Sequence, residues 1–255
     1  MSPEGNCFDI NADVGERTEA LLDGSEERLL RVVTSVNIAC GGHAGDSVSM
    51  RSVVKLCHSL GVSIGAHPGY PDKPGFGRSR LNMLLSALEG SLVEQISSLC
   101  EIASLCGATV HHVKPHGALY NAAATDYDLA AAIARATAVV NRNLILVGFA
   151  GSLMLDIWRE FGFSVVAEAF ADRRYEADGT LRSRAFPDAL IVDPREAAAQ
   201  ALLIVNEGVV KSTDGRAVQL NARTICIHGD TSNAVLIAEA VRRALEQSGV
   251  DLKSF

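Results

Sequence analysis

No run of the 255-residue sequence is long and apolar enough to cross a bilayer. The opening residues Met1-Ser2-Pro3-Glu4-Gly5 show no charged segment followed by an apolar stretch, as a secretory leader would. Neither a membrane nor a secreted protein is expected, and the expected location is the cytoplasm. Basic blocks are missing too. The 23 Lys and Arg against 30 Asp and Glu leave a formal net charge of -7, so nucleic acid is not an expected partner. Aromatic residues are scarce at 5%, yet 48% of the chain is hydrophobic, so a soluble core has to come from Leu, Ala and Val. The six cysteines show neither a C-x-x-C nor a zinc-finger spacing and are read as reduced thiols. Cys106 falls on the stripe Leu92, Ile96, Leu99, Ala103 and reads as a core hydrophobe, and Cys40 as a buried packing residue rather than a nucleophile. The patterns G-x-x-x-x-G-K-[ST], G-x-S-x-G and H-E-x-x-H are all absent, which removes a Walker loop, a serine-hydrolase elbow and a zincin site.

Strand-like and helix-like runs alternate throughout, with no linker or low-complexity tract, which predicts one α/β domain over residues 1–255. Strands are expected at Cys7 to Asp13, Val33 to Cys40, Val62 to Ala66, from Val110, at Leu144 to Gly148, Ser164 to Ala169 and Thr224 to His228. Helices are expected at Glu26 to Val32, from Asp46 through Leu60, at Leu84 to Cys106, Asp126 to Val140, around Leu153 to Phe161, from Asp193, and from Thr231 to about Ser248. Asp178-Gly179 and Asp214-Gly215 predict small hairpin excursions near 172–186 and 207–220. The pattern contains seven strand-plus-helix repeats, and polar residues gather where the strands end. A ring of polar strand ends predicts a TIM-like barrel, distorted or incomplete beside an eightfold one.

The polar strand ends supply the candidate residues. Asp13, His43, His67, Lys114, His116, His228 and Asp230 form the expected acid/base set. Asn11, Asn37, Arg78, Tyr120, Asn121, Arg173 and Arg174 form the expected binding set, with Glu168 on the same rim. Asp46 reads as a helix cap. Lys114 and the three arginines are cations in an acidic chain and suit a substrate carrying a carboxylate or phosphoryl group. Asp13, His43 and His67 follow three successive strands and could share a divalent metal. His112 has the same strand parity as Lys114 but lies deeper, which suits a supporting role.

Six segments carry a family resemblance: Asp9-Ile10-Asn11-Ala12-Asp13-Val14-Gly15-Glu16; Asn37-Ile38-Ala39-Cys40-Gly41-Gly42-His43-Ala44-Gly45-Asp46; Gly65-Ala66-His67-Pro68-Gly69-Tyr70-Pro71-Asp72; His112-Val113-Lys114-Pro115-His116-Gly117-Ala118-Leu119-Tyr120-Asn121; Phe170-Ala171-Asp172-Arg173-Arg174-Tyr175; and His228-Gly229-Asp230-Thr231. In them the chain resembles the LamB/YcsF lactam-utilisation family, which includes a component of bacterial 5-oxoprolinase. The likeness runs from the first strand to the last helix. It implies a distorted (β/α) barrel of the glycoside hydrolase/deacetylase type. It also implies opening of 5-oxo-L-proline, or a similar small lactam, to L-glutamate with ATP as co-substrate and two partner subunits. Phosphorylation of the lactam oxygen would create a leaving group before water attacks, with Asp13, His116 or His228 activating the water. Two departures stand out: Gly42 where the family commonly has an aromatic, expected to widen the site, and Ser79 where a second Arg often follows Arg78. Two alternatives stay open, a stand-alone metal-dependent amidohydrolase or deacetylase and a non-catalytic subunit that presents substrate.

Overall fold

Alternation of polar and apolar residues along the strands is what shapes this molecule, seen in a computed structural model that describes residues 7–229 and 233–255. The chain begins with β1 (Cys7–Val14), two short helices α1 (Thr18–Leu22) and α2 (Ser25–Leu30), β2 (Ser35–Ala39), α3 (Ser47–Leu60) and β3 (Ser63–His67). It continues through α4 (Leu85–Leu105), β4 (Val110–Val113), α5 (Gly117–Ala123), α6 (Tyr127–Val140), β5 (Ile145–Phe149), α7 (Leu153–Glu160) and β6 (Val165–Phe170). Then come α8 (Pro194–Glu207), an antiparallel pair β7 (Val209–Lys211) and β8 (Ala217–Gln219), β9 (Thr224–His228), α9 (Ala234–Gln247) and β10 (Asp251–Leu252).

The strands β1 to β6 and β9 lie side by side in parallel, and β9 pairs with both β6 and β1, so a barrel of seven strands closes completely. The repeat count thus distorts the barrel without leaving it open. On β1 the residues Phe8, Ile10, Ala12 and Val14 join the apolar cluster beneath the helices. Asp9, Asn11 and Asp13 alternate with them and point across the interior. The interior of such barrels is ordinarily filled with branched aliphatic side chains. Here it holds Asp9, Asn11, Ser35, Asn37, His112, Lys114, Glu168 and Thr224, all buried. Each is hydrogen-bonded to another, the condition under which buried polar groups are tolerated.

Local signals set the element boundaries. Asp46 caps α3 through the amides of Val48 and Ser49 in a capping box, and Asp193 caps α8 ahead of Pro194. Two helices go beyond the sequence pattern, α1 and α5; the latter carries Tyr120 and Asn121 on a helix rather than on a strand-end turn. Cys106 falls one residue past the end of α4 and is only half-buried, so it is less of a core residue than its stripe suggests. The start of the last helix at Thr231 lies outside the described residues. Both hairpin turns form, the first with Gly179 at φ 85° beneath a Tyr175–Leu181 bridge.

Gly65, in the middle of β3, makes the packed interior possible, because a Cβ there would sit 2.0 Å from Nε2 of the buried His112. That nitrogen donates to Asn37 Oδ1 at 2.9 Å, so the ring has no room to retreat. Gly65→Ala is expected to lower stability by at least ~1–3 kcal/mol, read as a lower urea midpoint at unchanged slope; a midpoint equal to that of the unsubstituted protein would refute this packing argument.

Candidate active site

The C-terminal end of the barrel is organised around one ammonium. Lys114, just past β4, places Nζ 2.9 Å from Asp13 Oδ1 and 2.8 Å from Glu168 Oε1, joining β1 to β6 across the axis. The two carboxylates are held from other directions. Asp13 Oδ1 accepts from Asn37 Nδ2 at 2.8 Å; Glu168 accepts from Asn11 Nδ2 at 2.9 Å and from the Tyr120 hydroxyl at 2.8 Å. Burial alone would push the Lys114 pKa down, but Asp13 and then Cys226 and Glu168 raise it well above its usual value. Burial would likewise raise the Asp13 carboxyl, and His67 and Lys114 reverse this and hold it well below its usual range. Lys114 is thus a charged cation whose partners are already protein carboxylates. Asp9, deeper in the barrel, has hydroxyl partners in place of a cation, and burial raises it to about 6.

Beside Asp13 lies a cluster of three imidazoles and a carboxylate. Gly15, at φ 71°, turns the chain so that Glu16 comes back over the barrel mouth. Glu16 Oε1 lies 2.9 Å from His43 Nε2, 3.2 Å from His116 Nδ1 and 3.8 Å from His67 Nε2. Burial would raise this carboxyl, but the adjoining His116 and His43 imidazoles bring it well below the usual value. Burial lowers His43 to about 4 and lowers His116 as well, whereas His67, opposed by burial, is raised by Asp13.

A cavity of about 480 Å³ opens above this floor. Its walls include Tyr120, Phe149 and Phe170, and Arg78, Arg173 and Arg184 contribute cations. His228, from the end of β9, also lines it. Its Nδ1 lies 3.0 Å from Asp172 Oδ1, and Asp172 Oδ2 accepts from the His228 backbone N–H at 3.0 Å. Asp172 is fully buried, so this pair fixes the ring with Nε2 as the nitrogen left for a ligand. Arg173 is 6% exposed; its Nη2 donates to Arg182 O at 2.7 Å while Nε has no partner. Among the described residues no carboxylate lies in ion-pairing range of Arg173, and burial followed by the nearby Arg184 lowers its pKa.

The structure brings Asp13, His67, Arg78, Lys114, His116, Tyr120, Asn121, Arg173 and His228 to this one cavity. Asn11 and Asn37 lie one layer below, bonded to each other at 2.8 Å. His43 stands behind Glu16, its ring stacked on His116 at 3.5 Å. Arg174 points away and pairs with Glu196 at 2.7 Å, so it does not line the cavity. Asp230 lies outside the described residues. Cys40 is buried, and burial pushes its thiol up to about 12, in keeping with a packing role. Gly42 does not widen the mouth: a Cβ there would sit 2.3 Å from Gln95 Oε1, and that amide fills the space while clamping Gly69 through bonds of 3.0 and 2.9 Å. Sequence reasoning missed Glu16 and Asp172 as site residues. The spacing Asp13-x-x-Glu16 around a glycine was the available signal for the first, and an acid two residues past a strand end for the second.

Comparison with known proteins identifies the family. The LamB/YcsF family model matches residues 8–255. The chain belongs to the LamB/YcsF family. It is 51% identical to a 5-oxoprolinase subunit of Chloroflexus aggregans over 247 residues, covering 97% of this chain and 98% of the relative. It is 46% identical to the corresponding 5-oxoprolinase subunit of Shouchella clausii, covering 98% of each. Among solved structures it superposes on the lactam utilization protein of Thermus thermophilus with a TM-score of 0.90 at 41% identity, covering 97% of this chain and 99% of that one. In this LamB/YcsF member, then, the polar interior and the ring of strand-end residues sit on the family's barrel. No helix among the described residues is long and apolar enough to cross a membrane.

Removing one partner of a buried ion pair leaves the other charge without compensation. Lys114→Met is therefore expected to destabilise the fold by ~3–5 kcal/mol, with Glu168→Gln in the same chain recovering part of the loss. Urea unfolding of the single and double variants measures both, and a Lys114→Met protein as stable as its parent would refute the role given to this ammonium.

Proposed function

We propose that this chain is the lactam-binding, ring-opening component of a cytoplasmic, ATP-dependent 5-oxoprolinase that works with two partner subunits. The observation that carries the reading is Arg173: a buried guanidinium with an unpartnered Nε on a cavity that also holds Asp13 and His228. A buried cation of this kind is stabilised by an anionic ligand, and 5-oxo-L-proline offers one carboxylate on a small ring. The relatives, named as 5-oxoprolinase subunits, support the same substrate class.

The chemistry follows from what each group can do. A five-membered lactam is a stable amide, and phosphorylation of its oxygen by ATP turns that oxygen into a leaving group. No Walker loop is present, and we assign the phosphorylation to the partner subunits. On this chain, Arg173 holds the carboxylate and places the amide carbon over Asp13 and His228. The Asp172–His228 pair is built as a base: Nδ1 is fixed by the carboxylate, and Nε2 takes a proton from the attacking water. The imidazolium so formed is stabilised by Asp172 and returns its proton to the ring nitrogen; collapse of the tetrahedral carbon then breaks the C–N bond to give γ-glutamyl phosphate with a free amine, and a second water displaces the phosphate from this acyl phosphate to leave glutamate. Lys114 fixes Asp13 beside the reacting carbon.

The imidazole cluster favours a second reading, a stand-alone metal-dependent amidohydrolase, and ATP dependence separates the two. Glutamate release from 5-oxoproline is expected only when the chain, both partner subunits and ATP are present together. Turnover by the chain alone, without ATP, would favour the second reading. Turnover in the complete complex that survives Asp13→Asn and His228→Asn in a folded chain would instead mark it as a presenter of substrate. In the working complex Arg173→Ala is expected to raise KM for 5-oxoproline by roughly 10–100-fold with a smaller change in kcat, and Arg173→Lys by less. An unchanged KM would remove Arg173 as the carboxylate anchor.

A further inference from the structure

The hydrogen bonds of two histidines in the mouth leave them in an arrangement that needs a cation. His67 Nδ1 lies 2.7 Å from the backbone oxygen of Lys114, and His116 Nε2 lies 3.0 Å from that of Phe76. A carbonyl only accepts, so each of these nitrogens carries the hydrogen. The opposite nitrogens, His67 Nε2 and His116 Nδ1, then present lone pairs to one another across 3.0 Å. Glu16 Oε1, 3.2 Å from His116 Nδ1 and 3.8 Å from His67 Nε2, adds a negative charge to the same gap. Three electron donors at this spacing repel unless something positive lies among them. Ligands bound to a metal at about 2.0–2.1 Å in tetrahedral geometry stand about 3.3 Å apart, close to the separations seen here. A backbone carbonyl on the far nitrogen of each histidine is the outer support that metal-binding imidazoles ordinarily have.

His43 is within reach of the same gap, since the four side chains Glu16, His43, His67 and His116 place donor atoms within 4.8 Å of one another. Its geometry gives it another role. An imidazole binds a metal in the plane of its ring, and the His43 and His116 rings are parallel to within 3° with centroids 3.5 Å apart. Two such planes share no point. His43 Nε2 instead donates to Glu16 Oε1, and His43 does not line the cavity above the barrel mouth, whereas Glu16, His67 and His116 all do. The neighbouring group Asp13, Cys226 and His228 does not compete for an ion, because the Lys114 ammonium already lies 2.9 and 3.0 Å from Asp13 Oδ1 and Cys226 Sγ.

We propose that Glu16 Oε1, His67 Nε2 and His116 Nδ1 bind a divalent first-row transition metal, with His43 holding Glu16 from outside and one coordination position open to the cavity. The donor set differs from the one expected from the sequence, Asp13 with His43 and His67, by taking Glu16 and His116 in place of Asp13 and His43. Two imidazoles and a carboxylate suit zinc, cobalt, nickel or iron rather than calcium or magnesium. The proposal goes beyond the lactam reading and does not need it, because metal binding is read without substrate.

The test uses the full chain, stripped with chelator and dialysed against Zn²⁺ or Co²⁺. One equivalent should be retained, the Co²⁺ form should show the visible bands of nitrogen and oxygen coordination, and the thermal midpoint should rise on loading. Glu16→Gln and His116→Asn should lose this binding. His43→Asn should weaken it by roughly 10–100-fold, as loss of an outer partner does, and Asp13→Asn should retain one equivalent. Circular dichroism of each stripped variant checks folding, and should the ligand variants misfold, the stoichiometry and Co²⁺ spectrum of the unsubstituted chain decide. An unsubstituted chain that takes up no metal would overturn the proposal, leaving a proton shared by His67 and His116 in the gap. Loss of the metal in Asp13→Asn with retention in Glu16→Gln would overturn the donor set.

Discussion

A single lysine ammonium, buried between two carboxylates, is the condition on which the rest of this barrel depends. Without Lys114, Asp13 and Glu168 would confront each other in the buried interior, where like charges are most costly. With it they become the fixed points of a network that runs from Thr224 and Asn11 at one level to His67 at the next. A polar network is no stronger than an apolar core of the same size, and its advantage is directional. Each bond specifies one orientation for a side chain that, farther up, faces the cavity. The interior therefore acts as the rigid support of the site, with Asp13 belonging to both.

The mouth divides its labour between two carboxylate-centred groups. On one side Glu16 gathers three imidazoles; on the other, Asp172 fixes His228 alone. The first arrangement leaves lone pairs turned inward on each other, and the second leaves one nitrogen turned outward to the cavity. The same residue type thus serves opposite ends, determined by which ring nitrogen the surroundings occupy. The cavity's cations are graded in the same way: Lys114 is neutralised by protein carboxylates, while Arg173 lacks such a partner among the described residues.

Much of the architecture was legible in the sequence because it rests on local signals. Strand parity separated Asp9, Asn11 and Asp13 from Phe8, Ile10 and Ala12, and caps such as Asp46 and Asp193 marked the helices. The site was legible as a ring of residues but not as a set of partnerships. Nothing in the order of residues shows that the carboxylates of β1 and β6 converge on Lys114, since this depends on how seven strands close. Glu16 escaped notice because it lies past the strand, where parity no longer applies, and returns to the mouth only through the left-handed turn at Gly15. Arg173 and Arg174 looked equivalent in sequence, yet adjacent residues in extended chain face opposite ways, so only one could line the cavity.

The space beside Gly42 links two distant parts of the chain. Gln95 occupies it from α4 and clamps Gly69, two residues after His67. A larger residue at 42 can enter only if residue 95 gives way, and the loop carrying His67 must then find another support. Positions 42 and 95 therefore act as one packing unit. An aromatic side chain placed at 42 in this chain would need a short partner at 95, so the two positions have to be exchanged together.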